Sequence, residues 1–292
     1  MNVTPPPGHE TTQQTIAGGM SNPRSPRRSS GFRLNGNAIA AIAANVFREA
    51  IRNRVLYAVG IHGFVLVLAA LFLPKIAGGA QFKMLPDIGL ASMEAISVAI
   101  AIAVGSRMIE QEIDKRTVLI LASKPISRAE FILGKFFGLG AVLAVMIGLM
   151  LGLFLIILWS QNNDFTPVLG LLSAGFLLLR LLLVVAVILL FGSFSSALLA
   201  MLMTLTVYLI GNLSQDLIRI GKATENLDLE RLTRGLYLVL PDLSRLDIKN
   251  DVVYGFAGLP DRAILFGNAV YGVVYTIALL AITIGIFSRR QF

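Results

Sequence analysis

The sequence predicts an all-α polytopic membrane protein. Six transmembrane helices are expected, with an amphipathic N-terminal helix in the membrane interface and a short amphipathic helix between spans two and three. Three observations carry this. The 292 residues are 55% hydrophobic and only 14% charged, against about 25% charged in soluble domains, and the mean hydropathy is +0.76. The apolar residues gather in blocks long enough for the ~20-residue helix that crosses a bilayer. Lys and Arg are shared unevenly among the connections, and such loop asymmetry reports topology.

The elements follow in order. Residues 1–36, with "TPPPGHETTQQ" and "NPRSPRRSSGFR", offer too little apolar surface to offset chain entropy and are expected to be a disordered cytoplasmic tail. They lack the apolar stretch of a signal peptide. Asn37 is placed to cap a helix running to about Arg54. Ile39, Ile42, Ala43, Val46, Phe47, Ala50 and Ile51 share one side of it, and Asn45, Arg48, Glu49, Arg52 and Asn53 the other. The transmembrane domain is expected over 37–292. Span one is Val55–Leu73, closed by Pro74; span two is about Ile88–Met108; span three is about Phe136–Trp159. Pro167–Asn212 is nearly all apolar and makes about 69 Å of helix, enough for two crossings of a ~30 Å core, with the hairpin at Phe191–Ser196. A polar outer loop, 214–262, precedes span six at Ala263–Phe287. Within that loop Leu229, Leu232, Leu236 and Val239 have helical spacing, suiting a lid or simple packing over the bundle.

The region up to Arg54 holds seven Lys and Arg, the Arg107–Lys135 segment six and the C-terminus two. The short loop after span one holds two, and the loop after span three and the hairpin none. Placing both termini and the Arg107–Lys135 segment in the cytoplasm puts fifteen there. The long loop offsets its seven with eight acids. The net charge of +8 is therefore a topology signal here and implies no nucleic acid.

Catalytic patterns are missing. The chain has no cysteine and two histidines far apart, His9 and His62. No phosphate-loop pattern occurs: "GKF" at Gly134 and "GKA" at Gly221 lack the upstream glycine and the hydroxyl that cradle phosphates. No catalytic residue, metal or cofactor is expected on this chain. Met146 and Met150, or Met201 and Met203, are apolar filler before they are soft metal ligands. Gly148 and Gly152 form a G-x-x-x-G that permits close helix approach, with packing inside the bundle as its expected role.

Two charges fall within apolar runs, Glu94 in span two and Arg180 in span four. Charges at membrane depth cost roughly 2.5–3.5 kcal/mol on insertion scales and usually face a partner or a cavity. One reading pairs them or sets them along a polar pathway. The other lets Glu94 reach water near the outer face while Arg180 snorkels or binds a backbone carbonyl. Direct pairing predicts that reversing both charges rescues the single mutants.

The segment 109–135 is the most specific part of the chain. Its apolar core, Val118–Ala122, is far too short to span and must be buried against protein or pressed on the interface. Pro125 ends that piece. Ser127-Arg128-Ala129-Glu130 then forms a capping box before "FILGKFFG". The chain thus leaves the membrane, forms a short amphipathic helix, turns and re-enters. The helix suits either a socket in a partner or the underside of its own bundle.

"IEQEIDKRTVLILASKPISRAEFILGKFFGL" resembles the segment between spans two and three of permease subunits in the type-2 ABC transporter family. The nearest likeness is to the branch that includes nitrous-oxide-reductase maturation permeases and many cyanobacterial members. The resemblance extends to "REAIRNRVLY", "GLYLVLPDLSRLDIKNDVVYG" and "IFSRRQF". Its specific part falls on Glu112, Thr117, Ser123, Pro125, Ser127 and Arg128, and Arg116 stands where the family pattern has glycine. The resemblance implies that these residues, with Val118, Leu119 and Leu121, couple to a separate ABC ATPase subunit that binds ATP and Mg. It also implies a second permease copy or homologue, an exporter, and residence among the lipids of a bacterial inner membrane, with the thylakoid membrane as the alternative. A secondary transporter and a scaffold recruiting a soluble partner are the competing classes. The substrate is not legible: spans rich in Leu, Ala and Gly suit lipid, drug or peptide alike.

Overall fold

The computed structural model describes residues 1, 36–50, 55–76, 78, 80–114, 127–214, 235 and 240–289. Among them every regular element is a helix: α1 (Gly36–Ala50), α2 (Leu56–Ile76), α3 (Gln81–Asp114), α4 (Arg128–Ser160), α5 (Pro167–Gly192), α6 (Ala197–Asn212), α7 (Lys249–Val253) and α8 (Arg262–Arg289), with 3₁₀ turns at Leu243–Leu246 and Phe256–Gly258. Among the described residues, five helices are long and apolar enough to cross a membrane: α2, the Gln81–Met108 part of α3, α4, α5 and the Arg262–Ser288 part of α8.

Helix α5 is the axis of the bundle. Leu181 and the unbroken run Leu183–Leu189 are buried, because α3, α4, α6, α8 and the Leu243–Leu246 turn all pack on it. A helix apolar on every side suits that position. Helices α2 and α8 sit at the edge, with only 22% and 28% of their apolar windows buried. Their outward Phe, Leu, Ile and Val side chains are exposed in the single chain, as expected of faces turned to lipid or another subunit.

The ends follow local chemistry. Helix α1 begins at Gly36, so Asn37 lies within its first turn and is not the cap the sequence suggested. Helix α2 runs past Pro74 to Ile76, because a proline in the last turn removes a hydrogen bond without stopping the helix behind it. Helix α3 starts at Gln81, before the expected Ile88, and tolerates Pro86. Proline frees the carbonyl four residues back, and Asn163 Nδ2 donates to that carbonyl, Phe82 O, at 3.0 Å. The capping box is present: Ser127 Oγ accepts from Glu130 N at 3.2 Å and Ser127 N donates to Glu130 Oε2 at 2.8 Å. At Asn162 the backbone enters the left-handed region (φ 50) and turns α4 into α5.

The run Pro167–Asn212 departs most from expectation. It turns at Ser193–Ser196 as predicted, but its second helix, α6, has only 16 residues. That is about 24 Å, short of the ~30 Å core. Beside its tip packs Pro241–Val253, from the polar stretch assigned to an outer loop. A Cβ at Gly211 would stand 2.7 Å from Pro241 O, so glycine lets this segment rest on the tip of α6. Leu243, Leu246, Ile248 and Val252 are buried in the common core.

The two glycine pairs of α4 behave oppositely. Gly134 and Gly138 form the groove that seats α1: a Cβ at either would come 2.7 Å from Ile42 Cβ or Val46 Cβ. Nothing lies within 4 Å of a Cβ placed at Gly148 or Gly152. That pair faces out of the single chain and does not pack inside it, correcting the expectation above. The expected helix bearing Leu229, Leu232, Leu236 and Val239 lies outside the described residues.

Candidate functional site

Glu94 on α3 and Arg180 on α5 each stand 13 residues from the start of their helices, about 20 Å along. They are 6% and 2% exposed. Arg180 Nη1 donates to Glu94 Oε1 at 2.6 Å and lies 3.4 Å from Asp247 Oδ2, while Nη2 donates to Asn212 Oδ1. Tyr208 OH donates to the same Glu94 oxygen at 2.7 Å. Lys249 Nζ donates to Glu94 Oε2 at 2.5 Å and to Asp247 Oδ2 at 3.1 Å. The Arg180 guanidinium also lies 5.5 Å from the Tyr208 ring centre.

The result is a closed cluster of two acids and two bases. Neutrality is what makes it tolerable at this depth, since an unpaired buried charge is costly. Burial alone would pull the Lys249 pKa down, but the hydrogen bonds and charges of Glu94 and Asp247 outweigh it and the net shift is upward. A cavity of about 10 Å³ lies against Glu94, Arg180 and Lys249, at the threshold for one water. Chemically the cluster can lock; its cavity is too small for a substrate.

A second anchor holds the same segment. Asp242 Oδ1 accepts from Ser214 Oγ at 2.7 Å and from Ser244 Oγ at 2.5 Å, and Asp242 Oδ2 accepts from Arg245 Nε at 3.1 Å. The backbone N–H of Asp242 donates to Tyr271 OH on α8 at 2.8 Å. Burial pushes the Asp242 pKa up, and the three side-chain donors push it further down, leaving it below the usual carboxylate value. The stretch "PDLSRLDIK" is thus pinned to α6 and α8 at Asp242 and to α3 at Lys249.

At the opposite end of the bundle, Arg128 Nη1 donates to Phe287 O at 2.7 Å and contacts Ser288 O at 3.4 Å, both in the last turn of α8. The Phe131 and Phe287 rings stack at 5.8 Å. The buried Lys135 donates to Met108 O on α3 and lies 4.7 Å from the Phe131 ring centre.

Of the sequence candidates, Glu94 and Arg180 are brought together, and Ser127 caps α4. Arg128 points along the bundle to α8. Glu112 lies in the α3 helix. Thr117, Val118, Leu119, Leu121, Ser123 and Pro125 lie outside the described residues. Sequence reasoning missed Tyr208, Asn212, Asp247 and Lys249. Asp247 and Lys249 sit in a polar stretch, where charges draw no attention. The signal that could have found them is the buried rhythm Leu243, Leu246, Ile248, Val252 threaded between them.

The family model described as "ABC-2 family transporter protein" matches residues 40–292. No curated protein matches the chain. The match covers the described bundle from α1 to α8, and the chain belongs to the ABC-2 transporter family, as a multi-pass membrane permease subunit.

Proposed function

We propose that this chain is the membrane half of an ABC exporter, works as a dimer with a second permease copy, and is driven by a separate ABC ATPase that docks on residues 109–135. Membership of the family supports the permease reading. The observation that carries the docking reading is the shape of the α3–α4 connection. Helix α3 continues beyond its apolar part to Asp114, and α4 restarts on a capping box at Ser127, so the intervening stretch leaves and re-enters at one end of the bundle. Val118, Leu119 and Leu121 are the apolar residues of that stretch we assign to a socket in the partner, with Glu112, Thr117, Ser123 and Pro125 beside them in sequence. ATP and Mg belong to the partner, because this sequence contains no phosphate-loop pattern.

The charge distribution supports placing the 109–135 end and both termini in the cytoplasm. Helix α6 makes the fifth of six crossings, with Pro241–Leu259 packed at its tip from the outer side. The cluster around Glu94 then ties the spans together at mid-depth, and the partner's ATP-driven closure rocks the spans against it. The buried charges might be taken for a secondary transporter's midplane site. The pairing of every one of them, and a cavity fit for one water, weigh against that.

The test is to purify the full chain from its native membrane and ask whether an ABC ATPase accompanies it, then repeat with Leu119→Asp. The expected result is ATPase activity that the wild type stimulates and Leu119→Asp does not. If no ATPase accompanies the wild type, the proposal fails.

A further inference from the structure

The side chains Arg128, Phe131 and Lys135 lie on one face of α4 at i, i+3 and i+7. They form a continuous ladder with α8 and α3. Lys135 sits over the Phe131 ring at 4.7 Å, Phe131 stacks on Phe287 at 5.8 Å with the rings 12° from parallel, and Arg128 lies 5.9 Å from the Phe287 ring centre. The two cations close the ladder on backbone: Lys135 on Met108 O of α3, and Arg128 on Phe287 O and Ser288 O of α8. Arg128 thereby satisfies the last carbonyls of α8 and meets its negative pole.

Helix α8 needs such a tie, because packing holds it unevenly. Toward its start it is close-packed: a Cβ at Gly272 would meet Leu179 and Leu246 at 3.1 Å. Further along, a cavity of about 380 Å³ lies between one side of it and α4 and α5, lined by Leu133, Phe136, Leu182, Thr276, Leu280 and Ile284. A void transmits no push, since its lining lacks contacts on one side. The ladder therefore ties α4 to the last turn of α8, where Leu280 and Thr283 are the other buried contacts of that half. The chain has the form of a lever: a packed fulcrum at Gly272 and a tied end at Phe287.

We propose that Arg128 and Phe287, with Phe131 and Lys135, form an internal strut that carries the stroke received between α3 and α4 to α8, so that Arg128 is a positioning residue of the transport cycle and not a contact on the ATPase. This rests on the docking reading above. It reassigns a residue that the sequence placed on the docking surface.

The absence of cysteine lets label pairs be introduced without removing native thiols. Spin labels at Val67→Cys on α2 and Ile282→Cys on α8, both on exposed positions, report the movement of α8. A second pair, Val67→Cys with Val145→Cys on α4, reports α4. The complex of full chain and accompanying ATPase is measured with and without ATP and vanadate. In the wild type both distances change. In Arg128→Gln the ATPase still accompanies the chain and the α4 distance still changes, but the α8 change falls below half its wild-type size; Arg128→Lys recovers part of it. Phe287→Leu keeps apolar volume and leaves Arg128 in place, and it gives the same loss if Arg128→Gln proves unstable. The strut is overturned if Arg128→Gln releases the ATPase, which makes Arg128 a docking contact, or if both variants keep the full α8 change. If the wild type neither retains an ATPase nor responds to ATP, the docking reading has failed and the strut falls with it, a result distinct from failure of the strut alone.

Discussion

Two levels of the bundle, its middle around Glu94 and its Ser127 end, are tied by different chemistry. At the middle level, side chain meets side chain: two acids, two bases, a phenol and an amide close on one another around Glu94. At the Ser127 end, cations meet backbone carbonyls and rings. The first kind of tie is brittle, because removing one member leaves its partner charged and buried. The second is forgiving, because a guanidinium can slide from one carbonyl to the next in a helix's last turn without losing its bond. A permease that must stay tied at mid-depth while moving inside would be built this way round.

The sharpest way to break the comparison is Arg180→Leu. It leaves Glu94 and Asp247 against Lys249 alone, and should lower stability by about 3–5 kcal/mol, read as a thermal unfolding midpoint in detergent. The double reversal Glu94→Arg with Arg180→Glu sharpens it. A simple pair would tolerate the swap, but here the new arginine meets Lys249 and the new glutamate meets Asp247. The reversed protein should therefore stay destabilised; full rescue would show that the cluster is no more than a pair.

Next in size is the seat of α1. Gly138→Val drives its Cβ toward Ala43 O and Val46 and should cost about 1–3 kcal/mol, with protease sensitivity appearing near α1. Gly148→Val, on open surface, should change stability by less than about 0.5 kcal/mol. Equal effects would mean that the two pairs do not differ as described.

Acid should separate the ties further. The lowered pKa of Asp242 gives stability that is present above its ordinary value of 3.8 and lost as pH falls through the depressed value. The stability gap between wild type and Asp242→Asn should therefore be level at neutral pH and shrink in acid. Lys249, with its pKa raised above 10.5, holds its contribution below that value and loses it only as pH climbs through the raised one. A gap that widened in acid would contradict the Asp242 assignment. The smallest effect is expected from Ser127→Ala, about 1 kcal/mol for a lost cap, measured by the same unfolding midpoint.

Local chemistry was legible in the sequence and distant chemistry was not. The capping box needs four consecutive residues, and it appears as written. Glu94 and Arg180 stood out because each is a charge in an apolar run, although 86 residues separate them. Lys249 and Asp247 could not stand out: burial turns an ordinary polar stretch into part of a lock, and burial is a tertiary fact. The same holds for the glycines of α4, since spacing marks a groove but not which helix lies in it. The length of α6 was hidden because apolar composition sets an upper bound on a crossing and says nothing about which neighbour packs at its tip.

That short helix also bears on the membrane itself. Where α6 stops, about 24 Å from its start, the segment packed at its tip carries polar groups, with Lys249 and Asp247 about a quarter exposed. On the crossing proposed above, α6 sets the thickness of the insulating layer at this point. A bilayer pinches or its lipids tilt to meet such a mismatch, at a fraction of a kcal/mol per Å, and the membrane voltage falls over a correspondingly shorter path. On that crossing, the tip of the short helix carries Asn212, a partner of Arg180 in the Glu94 cluster.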